Sequence, residues 1–146
     1  MNLNLLHQIH KGWHMAKLSD YFFDTIKNRY EEVQGRETLS EYWYFVLFSI
    51  IFSILFTLID MFILNPAMGI PPESANQAGI LSFIFILAML LPRITLGVRR
   101  LHDIGKSGWW YLLVLIPIIG ALILLFFFVQ DSQLGTNIYG SNPKGT

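Results

Sequence analysis

The sequence predicts an all-α membrane protein with three transmembrane helices and an N-terminal amphipathic, interfacial helical segment. Hydrophobic residues make up 53% of the chain and charged residues only 14%, whereas a soluble domain carries roughly 25% charged residues. A soluble protein of this size could not cover so much apolar surface with so few polar groups. The formal net charge is zero and cysteine is absent. The composition therefore argues against a nucleic-acid partner and excludes disulfides and thiolate metal sites.

Residues 1–34 form the predicted N-terminal region, in which apolar side chains recur at helical spacing. Such a segment either lies in the membrane interface as an amphipathic helix or packs on the bundle as a cytosolic helix, and the sequence leaves both open. His7, His10 and His14 share one flank of its first part, but no nearby carboxylate or cysteine completes a zinc site. We therefore predict no metal and no cofactor.

Residues 35–130 form the predicted three-helix transmembrane domain, which a polar tail, 131–146, follows. The predicted crossings are about 43–64, 79–98 and 109–129. Each stretch is about 30 Å long at 1.5 Å per residue, enough to span the hydrocarbon core of a bilayer. Thr38 and Glu41 have the spacing of a capping box, which predicts that the first of these helices begins here.

Charged residues and a proline interrupt the first two crossings. Asp60, near the far end of the first, is either a proton or ion ligand or a partner of interfacial water or a neighbouring helix; its depth favours the second reading. Pro92 predicts a kink that bends residues 93–103 toward the membrane plane. Arg93 lies about a turn and a half before the predicted end of its helix, where its long stem can reach the interface.

The third apolar stretch contains Pro117 and Gly120. A hairpin of two crossings would need at least about 34 residues, more than the stretch provides. We therefore predict one kinked helix.

The central motif, residues 99–110, separates the second and third stretches and reads RRLHDIGKSGWW. Helical spacing pairs Asp103 with Arg99 and Arg100. His102 and Asp103 are neighbours whose side chains diverge on a helix, so they cannot act as a hydrogen-bonded catalytic dyad. The sequence also contains no G-x-S-x-G, H-E-x-x-H or P-loop pattern. We therefore expect no enzymatic activity.

The second half of this motif has residues typical of a turn at a membrane surface. Gly105 and Gly108 permit a tight reversal with positive backbone angles, and Ser107 can cap the following helix. Trp109 and Trp110 would then anchor that helix at head-group depth.

Two further motifs flank the apolar stretches. The first motif contains Gly35, Arg36, Thr38, Glu41, Tyr42 and Trp43, and the closing motif contains Gly135, Asn137, Tyr139, Gly140 and Pro143. Together with the central motif, they resemble the signature of a bacterial inner-membrane family catalogued as domain of unknown function 805 (DUF805). The resemblance covers roughly residues 20–144. It implies an inner-membrane location and no particular activity.

The chain departs from the family pattern at three positions. Leu39 and Ile138 stand where the family usually has arginine, and Asn142 replaces a common aspartate. We therefore do not expect a full arginine–carboxylate network to link the first and closing motifs.

Basic residues are distributed asymmetrically around the predicted crossings. The N-terminal segment carries Lys11, Lys17, Lys27, Arg29 and Arg36, whereas the 65–78 loop carries no lysine or arginine. The positive-inside rule then places the N-terminus and the central motif in the cytoplasm, with the loop and the tail outside.

The predicted function is that of a non-catalytic module with a basic cytoplasmic rim. The rim would consist of Arg36, Arg99, Arg100, His102 and Lys106 and would bind an anionic lipid head group or a partner protein. A simpler reading is that these charges only fix the orientation in the membrane.

The alternative function is an oligomeric conduit for an ion or small solute, suggested by Asp60 and Arg93. Three helices are too few to enclose a solute pathway, so the conduit requires a homo-oligomer.

Overall fold

The computed structural model describes residues 18–71 and 79–145, in which every regular element is a helix. The longer α-helices are α1 (Leu18–Asn28), α2 (Leu39–Ile59), α3 (Ile80–Asp103) and α4 (Ile119–Phe128). A π-helical turn, Asp60–Leu64, and a last turn, Asn65–Ala67, extend α2. A 3-10 helix, Gly108–Leu115, lies between α3 and α4.

Two helices of the described ranges are long and apolar enough to cross a membrane. They are the 29-residue Leu39–Ala67 and the 24-residue Ile80–Asp103. At 1.5 Å per residue they measure about 44 and 36 Å, against about 30 Å for the hydrocarbon core. The first two predicted crossings thus lie within membrane-capable helices, which extend beyond the predicted bounds.

The start of α2 follows directly from the sequence. Thr38 accepts a hydrogen bond from the backbone N–H of Glu41, while the Glu41 carboxylate accepts one from the backbone N–H of Thr38. This reciprocal pair satisfies two donors that a helix N-terminus otherwise leaves open. The predicted capping box is confirmed.

Helix α1 packs against α2 through Phe22, which is only 3% exposed. Its ring lies 5.3 Å, between centroids, from the rings of both Phe45 and Phe52. Residues 18–28 therefore pack against α2, and the interfacial position of this segment stays a prediction. The predictions for residues 1–17, including the three histidines, fall outside the described residues.

Asp60 connects the far ends of α2 and α3. Its carboxylate accepts hydrogen bonds from the backbone N–H of Leu81 at 3.1 Å and of Ser82 at 2.7 Å, and from Ser82 Oγ at 2.6 Å. Gly79 allows this approach, because a Cβ there would lie 2.1 Å from Asp60 Cγ. Asp60 therefore caps α3, and the prediction of a neighbouring helix as its partner is confirmed.

Helix α3 continues five residues beyond its predicted end at Val98 and runs through Pro92 without a break in the helix. It therefore includes Arg99–Asp103, the first part of the central motif. The prediction ended the crossing where the polar residues begin. The helix continues because those side chains find partners in neighbouring segments, as described below.

The predicted third crossing, 109–129, is wrong as a single helix. The 3-10 helix and α4 meet at a turn where Pro117 provides no N–H and Ile118 has a φ of +66°. The ring centroids of Trp110 and Phe127 lie 5.6 Å apart, whereas a straight α-helix would separate these positions by about 25 Å. The stretch is therefore a hairpin of two short arms.

The length argument failed because it assumed that each arm crosses the bilayer. The arms contain 8 and 10 residues and rise only about 15 Å each, about half of the hydrocarbon core. Gly120 lets the arms approach each other, since a Cβ there would lie 1.8 Å from the carbonyl oxygen of Leu113.

The hairpin returns the tail to the central motif. Asn137 Nδ2 donates to the His102 carbonyl oxygen at 2.9 Å, and the Gln133 N–H donates to the Asp103 carbonyl oxygen at 2.9 Å. A tail that contacts these residues cannot lie across a membrane from them. The predicted placement of the tail opposite the central motif is therefore wrong.

Candidate functional site

The three sequence motifs meet around the Arg36 side chain, which is 1% exposed. Its Nε donates to Asp103 Oδ1 at 3.0 Å, and its Nη2 donates to the Asp103 carbonyl oxygen at 3.2 Å. Backbone carbonyl oxygens of the tail accept the remaining bonds, from Gln133 at 2.5 Å, Gly135 at 2.8 Å and Gly140 at 3.3 Å. The planar guanidinium thus joins the linker before α2, the end of α3 and the tail.

The link between the first and closing motifs exists, although the departures from the family pattern argued against an arginine–carboxylate network there. It needs neither the arginines replaced by Leu39 and Ile138 nor the aspartate replaced by Asn142. The acceptors in the tail are backbone carbonyl groups, which every residue supplies, so the link does not depend on those side chains.

Arg100 occupies the centre of the same cluster and is fully buried. Its Nη1 donates to Asp103 Oδ2 at 2.5 Å, which confirms the predicted i, i+3 pair. Its other bonds go to the carbonyl oxygens of Phe128, Glu37 and Gln130. Arg100 therefore holds the end of α4 against α3.

Arg99 was predicted to pair with Asp103, but it pairs with Glu37 instead. Both Asp103 oxygens are already used by Arg36 and Arg100. Glu37 is fully buried and would otherwise carry an uncompensated charge, and Arg29 Nη1 also contacts it at 3.3 Å. Buried carboxylates need such partners because an unpaired buried charge is very costly.

The arrangement changes the interpretation of the predicted basic rim. Arg36, Arg99 and Arg100 are 7%, 3% and 0% exposed, and their guanidinium groups bond inside the protein. They therefore do not form an outward-facing surface. The other two residues of the predicted rim, His102 and Lys106, are half-buried and thus partly accessible.

His102 and Lys106 lie on either side of the turn after α3. The His102 ring stacks on the Tyr139 ring, with 3.8 Å between centroids and 4° between planes, and its Nδ1 lies 3.2 Å from the Gly35 carbonyl oxygen. Lys106 Nζ lies 5.6 Å from the centroid of the Phe127 ring, within cation–π range. His102 thus holds the first and closing motifs together, whereas Lys106 lies against the hairpin.

The turn itself follows the sequence only in part. Gly105 has a positive φ of +73°, as predicted, but Gly108 is not among the glycines with positive φ. Gly108 instead allows close packing, since a Cβ there would lie 2.7 Å from Val98 Cγ1. Ser107 Oγ accepts from the Trp109 N–H at 3.4 Å and caps the 3-10 helix, which confirms its predicted role.

The aromatic residues of the motifs divide into two groups. Trp109 and Trp110 are 79% and 44% exposed, as expected of side chains that contact a membrane interface. Tyr42 and Trp43 instead pack on the end of α4: the Tyr42 ring lies 4.6 Å from that of Phe128, and Trp43 Nε1 donates to the Phe128 carbonyl oxygen at 3.3 Å. Pro143 is exposed in the tail.

Sequence reasoning did not single out Glu37, Gln133 or Phe128 as part of this site. Two of them contribute mainly backbone carbonyl groups, for which the sequence carries no signal. Glu37 had a signal: an acidic residue directly after a motif arginine, in an otherwise apolar chain. The described residues contain no cluster of three or more His, Cys, Asp or Glu side chains that could hold a metal ion.

We predict that Arg36→Lys loosens the tail while leaving the net charge unchanged. A lysine ammonium lacks the planar fork that reaches five acceptors, so the free energy of unfolding should fall by about 2–3 kcal/mol. A C-terminal epitope tag should be removed faster by proteinase K in detergent. Lys144→Gln, which breaks the exposed Lys144–Asp131 pair, is the control and should change little. Equal protection of the tag in all three proteins would contradict the bridging role.

Glu37 predicts a pH dependence of stability. Burial raises its pKa from 4.5 to about 7 against the opposing attraction of Arg99, and its Oε1 has no hydrogen-bond partner among the described residues. Because the folded-state pKa is the higher one, this contribution is fully present below pH 4.5 and is lost as the pH rises through about 7.

Denaturant titrations in detergent between pH 5 and pH 8 should therefore show a free energy of unfolding that falls with rising pH. The total decrease is limited to about 1.4 kcal/mol for each unit by which folding raises the pKa of Glu37. Glu37→Gln should flatten this slope, whereas Glu32→Gln, at a half-exposed side chain, should not. An unchanged slope in Glu37→Gln would assign the dependence to another group.

Comparison with known proteins identifies relatives of this chain. The chain is 38% identical over 125 residues to inner membrane protein YhaH of Escherichia coli, an alignment that covers 86% of this chain and 97% of that protein. It is 36% identical over 124 residues to inner membrane protein YhaI of the same organism, covering 85% and 95%. No solved structure matches the chain. Residues 30–141, which contain nearly all of the three motifs, match the family described as protein of unknown function DUF805, and the protein therefore belongs to this family of inner membrane proteins.

Proposed function

We propose that this protein is a non-catalytic, multi-pass inner-membrane module that binds anionic lipid head groups at its cytoplasmic face. The observation that carries the proposal is the position of Lys106, a cation without a carboxylate partner among the described residues. It lies on the same turn as Trp109 and Trp110, which are exposed. A lysine beside interfacial tryptophans is suited to a lipid phosphate.

The buried arginines have a different role in this proposal. Arg36, Arg99 and Arg100 stabilise the platform that holds the Lys106 turn, and they contact no lipid. This assignment replaces the rim of five side chains by one half-buried cation, Lys106, with the half-buried His102 on the other side of the turn. A partner protein on the same platform remains the competing form of the proposal, since Leu134 and Ile138 of the tail are 79% and 89% exposed.

We further propose a topology with two crossings and a hairpin that enters and leaves the membrane on the cytoplasmic side. The basic N-terminal segment and central motif favour the cytoplasm for both. The bonds of Arg36 to Gln133, Gly135 and Gly140 then require the tail on that side as well. In the turn of the hairpin, the N–H groups of Ile116, Ile119 and Gly120 all donate to nearby carbonyl oxygens, as membrane-embedded backbone requires.

The topology predicts that a fluorescent protein fused after Thr146 fluoresces, whereas alkaline phosphatase at the same place is inactive. The matched control is phosphatase inserted after Ile70, in the loop between α2 and α3, which should be active. Active phosphatase after Thr146 would overturn the hairpin topology.

The lipid proposal predicts a selective effect of Lys106→Gln. Phosphatidylglycerol added to detergent micelles should raise the melting temperature of the wild-type protein more than phosphatidylcholine, because a ligand of the folded state stabilises it. Loss of one basic contact, about 1 kcal/mol, should weaken apparent lipid affinity about fivefold.

Two control variants separate binding from stability. Lys27→Gln removes an exposed cation of α1 and should leave the lipid effect intact. The double variant Arg99→Lys, Arg100→Lys should melt at a lower temperature with or without lipid, because it disturbs buried pairs. If Lys106→Gln responds to phosphatidylglycerol as the wild type does, the proposed lipid contact is wrong.

The conduit alternative draws less support from the geometry. Asp60, one of the two groups that suggested it, is only 2% exposed and has its carboxylate engaged by three donors at the start of α3. Arg93, the other group that suggested a conduit, lines a cavity between α2, α3 and the 3-10 helix.

A further inference from the structure

A cavity of about 300 Å³ lies between the 3-10 helix and α2 and α3, the two helices that are long and apolar enough to cross a membrane. Its volume is at the lower end of the range for small-molecule sites. Phe45 and Leu96, each 1% exposed, form an apolar floor. Arg93, Ser49 and the rings of Tyr42 and Tyr111 complete the lining.

Arg93 is the first unusual feature of this cavity. Arg93 lies ten residues, or about 15 Å, before the end of α3 at Asp103. The predicted helix end at Val98 had placed it only about a turn and a half from the end. The other four arginines of the chain pair with carboxylates, but no described acidic side chain pairs with Arg93. A cation within a membrane span is costly unless something compensates its charge.

Ser49 is the second and independent feature. Its side chain is 1% exposed, and its Oγ has no hydrogen-bond partner among the described residues. Buried hydroxyl groups are nearly always bonded, because leaving one unsatisfied is unfavourable. A donor without a partner thus lines the same cavity as a cation without a counter-charge.

The third feature is how the 3-10 helix closes the cavity. Tyr111 OH donates to the Arg93 carbonyl oxygen at 3.4 Å, and Gly97 allows the ring to approach, since a Cβ there would lie 2.3 Å from Tyr111 Cε2. The hairpin therefore forms one wall of the cavity. Ile50, at the rim, is half-exposed on the outer face of α2, so the cavity is next to the surface that faces lipid acyl chains.

We propose that this cavity binds the acidic head of an acyl-chain amphiphile, with its oxyanion on Arg93 and Ser49. The guanidinium supplies the counter-charge and Ser49 Oγ donates a second hydrogen bond to the same oxyanion. The aromatic and apolar walls hold the first methylene groups, and the rest of the chain leaves past Ile50 into the bilayer. A hydrophilic anion would lose its hydration without gaining these apolar contacts, so the ligand comes from the membrane.

The shared chemistry is an oxyanion attached to an acyl chain, which either a fatty acid or a phospholipid can supply. The site is separate from the Lys106 turn and does not depend on the function proposed above. Either site can fail while the other stands.

Native mass spectrometry of the full-length protein in a neutral maltoside detergent tests the site. The protein is titrated with oleate and with oleoyl-lysophosphatidic acid. Oleyl alcohol, whose head is uncharged, is the neutral comparison. We expect one acidic amphiphile per protein and markedly weaker binding of the alcohol. Preference for oleate or for the lysophospholipid would identify the source of the oxyanion.

Arg93→Gln should weaken binding of the acidic amphiphile at least about tenfold, the effect of losing one bond between charged groups. Ser49→Ala removes a single oxygen atom and should weaken it several-fold, which keeps the test valid if Arg93→Gln folds poorly. Lys27→Gln, which removes an exposed cation of α1, is the matched control and should bind as the wild type does. Equal binding of oleate and oleyl alcohol, or unchanged affinity in Ser49→Ala and a folded Arg93→Gln, would overturn the proposal.

Discussion

The structure depends on the burial of the Arg36 guanidinium between Asp103 and the tail. Removing one member of a buried charge pair typically costs 3–5 kcal/mol, because its partner is left without compensation. Arg36, on the linker before α2, has five acceptors in two other segments, the end of α3 and the tail, so its loss would release both segments together. A small hydrophobic cluster of Leu101, Leu124 and Phe128 is buried at the same end of the molecule. It packs the end of α3 against α4, whereas the ionic cluster joins the linker and the tail to the end of α3.

The apolar hairpin depends on the same cluster. Helix α4 is only 10 residues long, and its last carbonyl groups would lack partners at the membrane surface. The Phe128 carbonyl oxygen accepts from both Arg100 and Trp43, and the Gln130 carbonyl oxygen accepts from Arg100. These bonds hold the end of the hairpin against α2 and α3, and Tyr111 on its other arm forms a wall of the cavity. A polar cluster thus determines the position of the most hydrophobic helix in the chain.

What the sequence could predict was local. The Thr38–Glu41 box, the Arg100–Asp103 pair and the cap at Ser107 all join residues at most three positions apart, and helical or turn geometry alone brings them together. The Arg99–Glu37 pair joins positions 62 residues apart, and Arg36 reaches the tail across about a hundred. Such contacts follow from the packing of the helices, which one sequence does not reveal. Hydropathy likewise shows that residues 109–129 prefer lipid but not how deeply they enter it, so it cannot distinguish a crossing from a hairpin.

Whether a cation has a structural or a binding role follows from the groups that surround it, more than from the sequence motif that contains it. Arginines with buried carboxylate partners have no charge left to offer a ligand, and all three motif arginines are of this kind. Lys106 and Arg93 have no such partner among the described residues, yet they differ in what surrounds them. The proposed topology places Lys106 at head-group depth, where water and many lipids can compensate its charge, so binding there should be weak and of low selectivity. The same topology places Arg93 within the span of α3, where a charge is poorly solvated, so an oxyanion that compensates it gains more from each contact. The proposed site for selective recognition of a membrane ligand is therefore Arg93 with Ser49, rather than the arginines of the central motif.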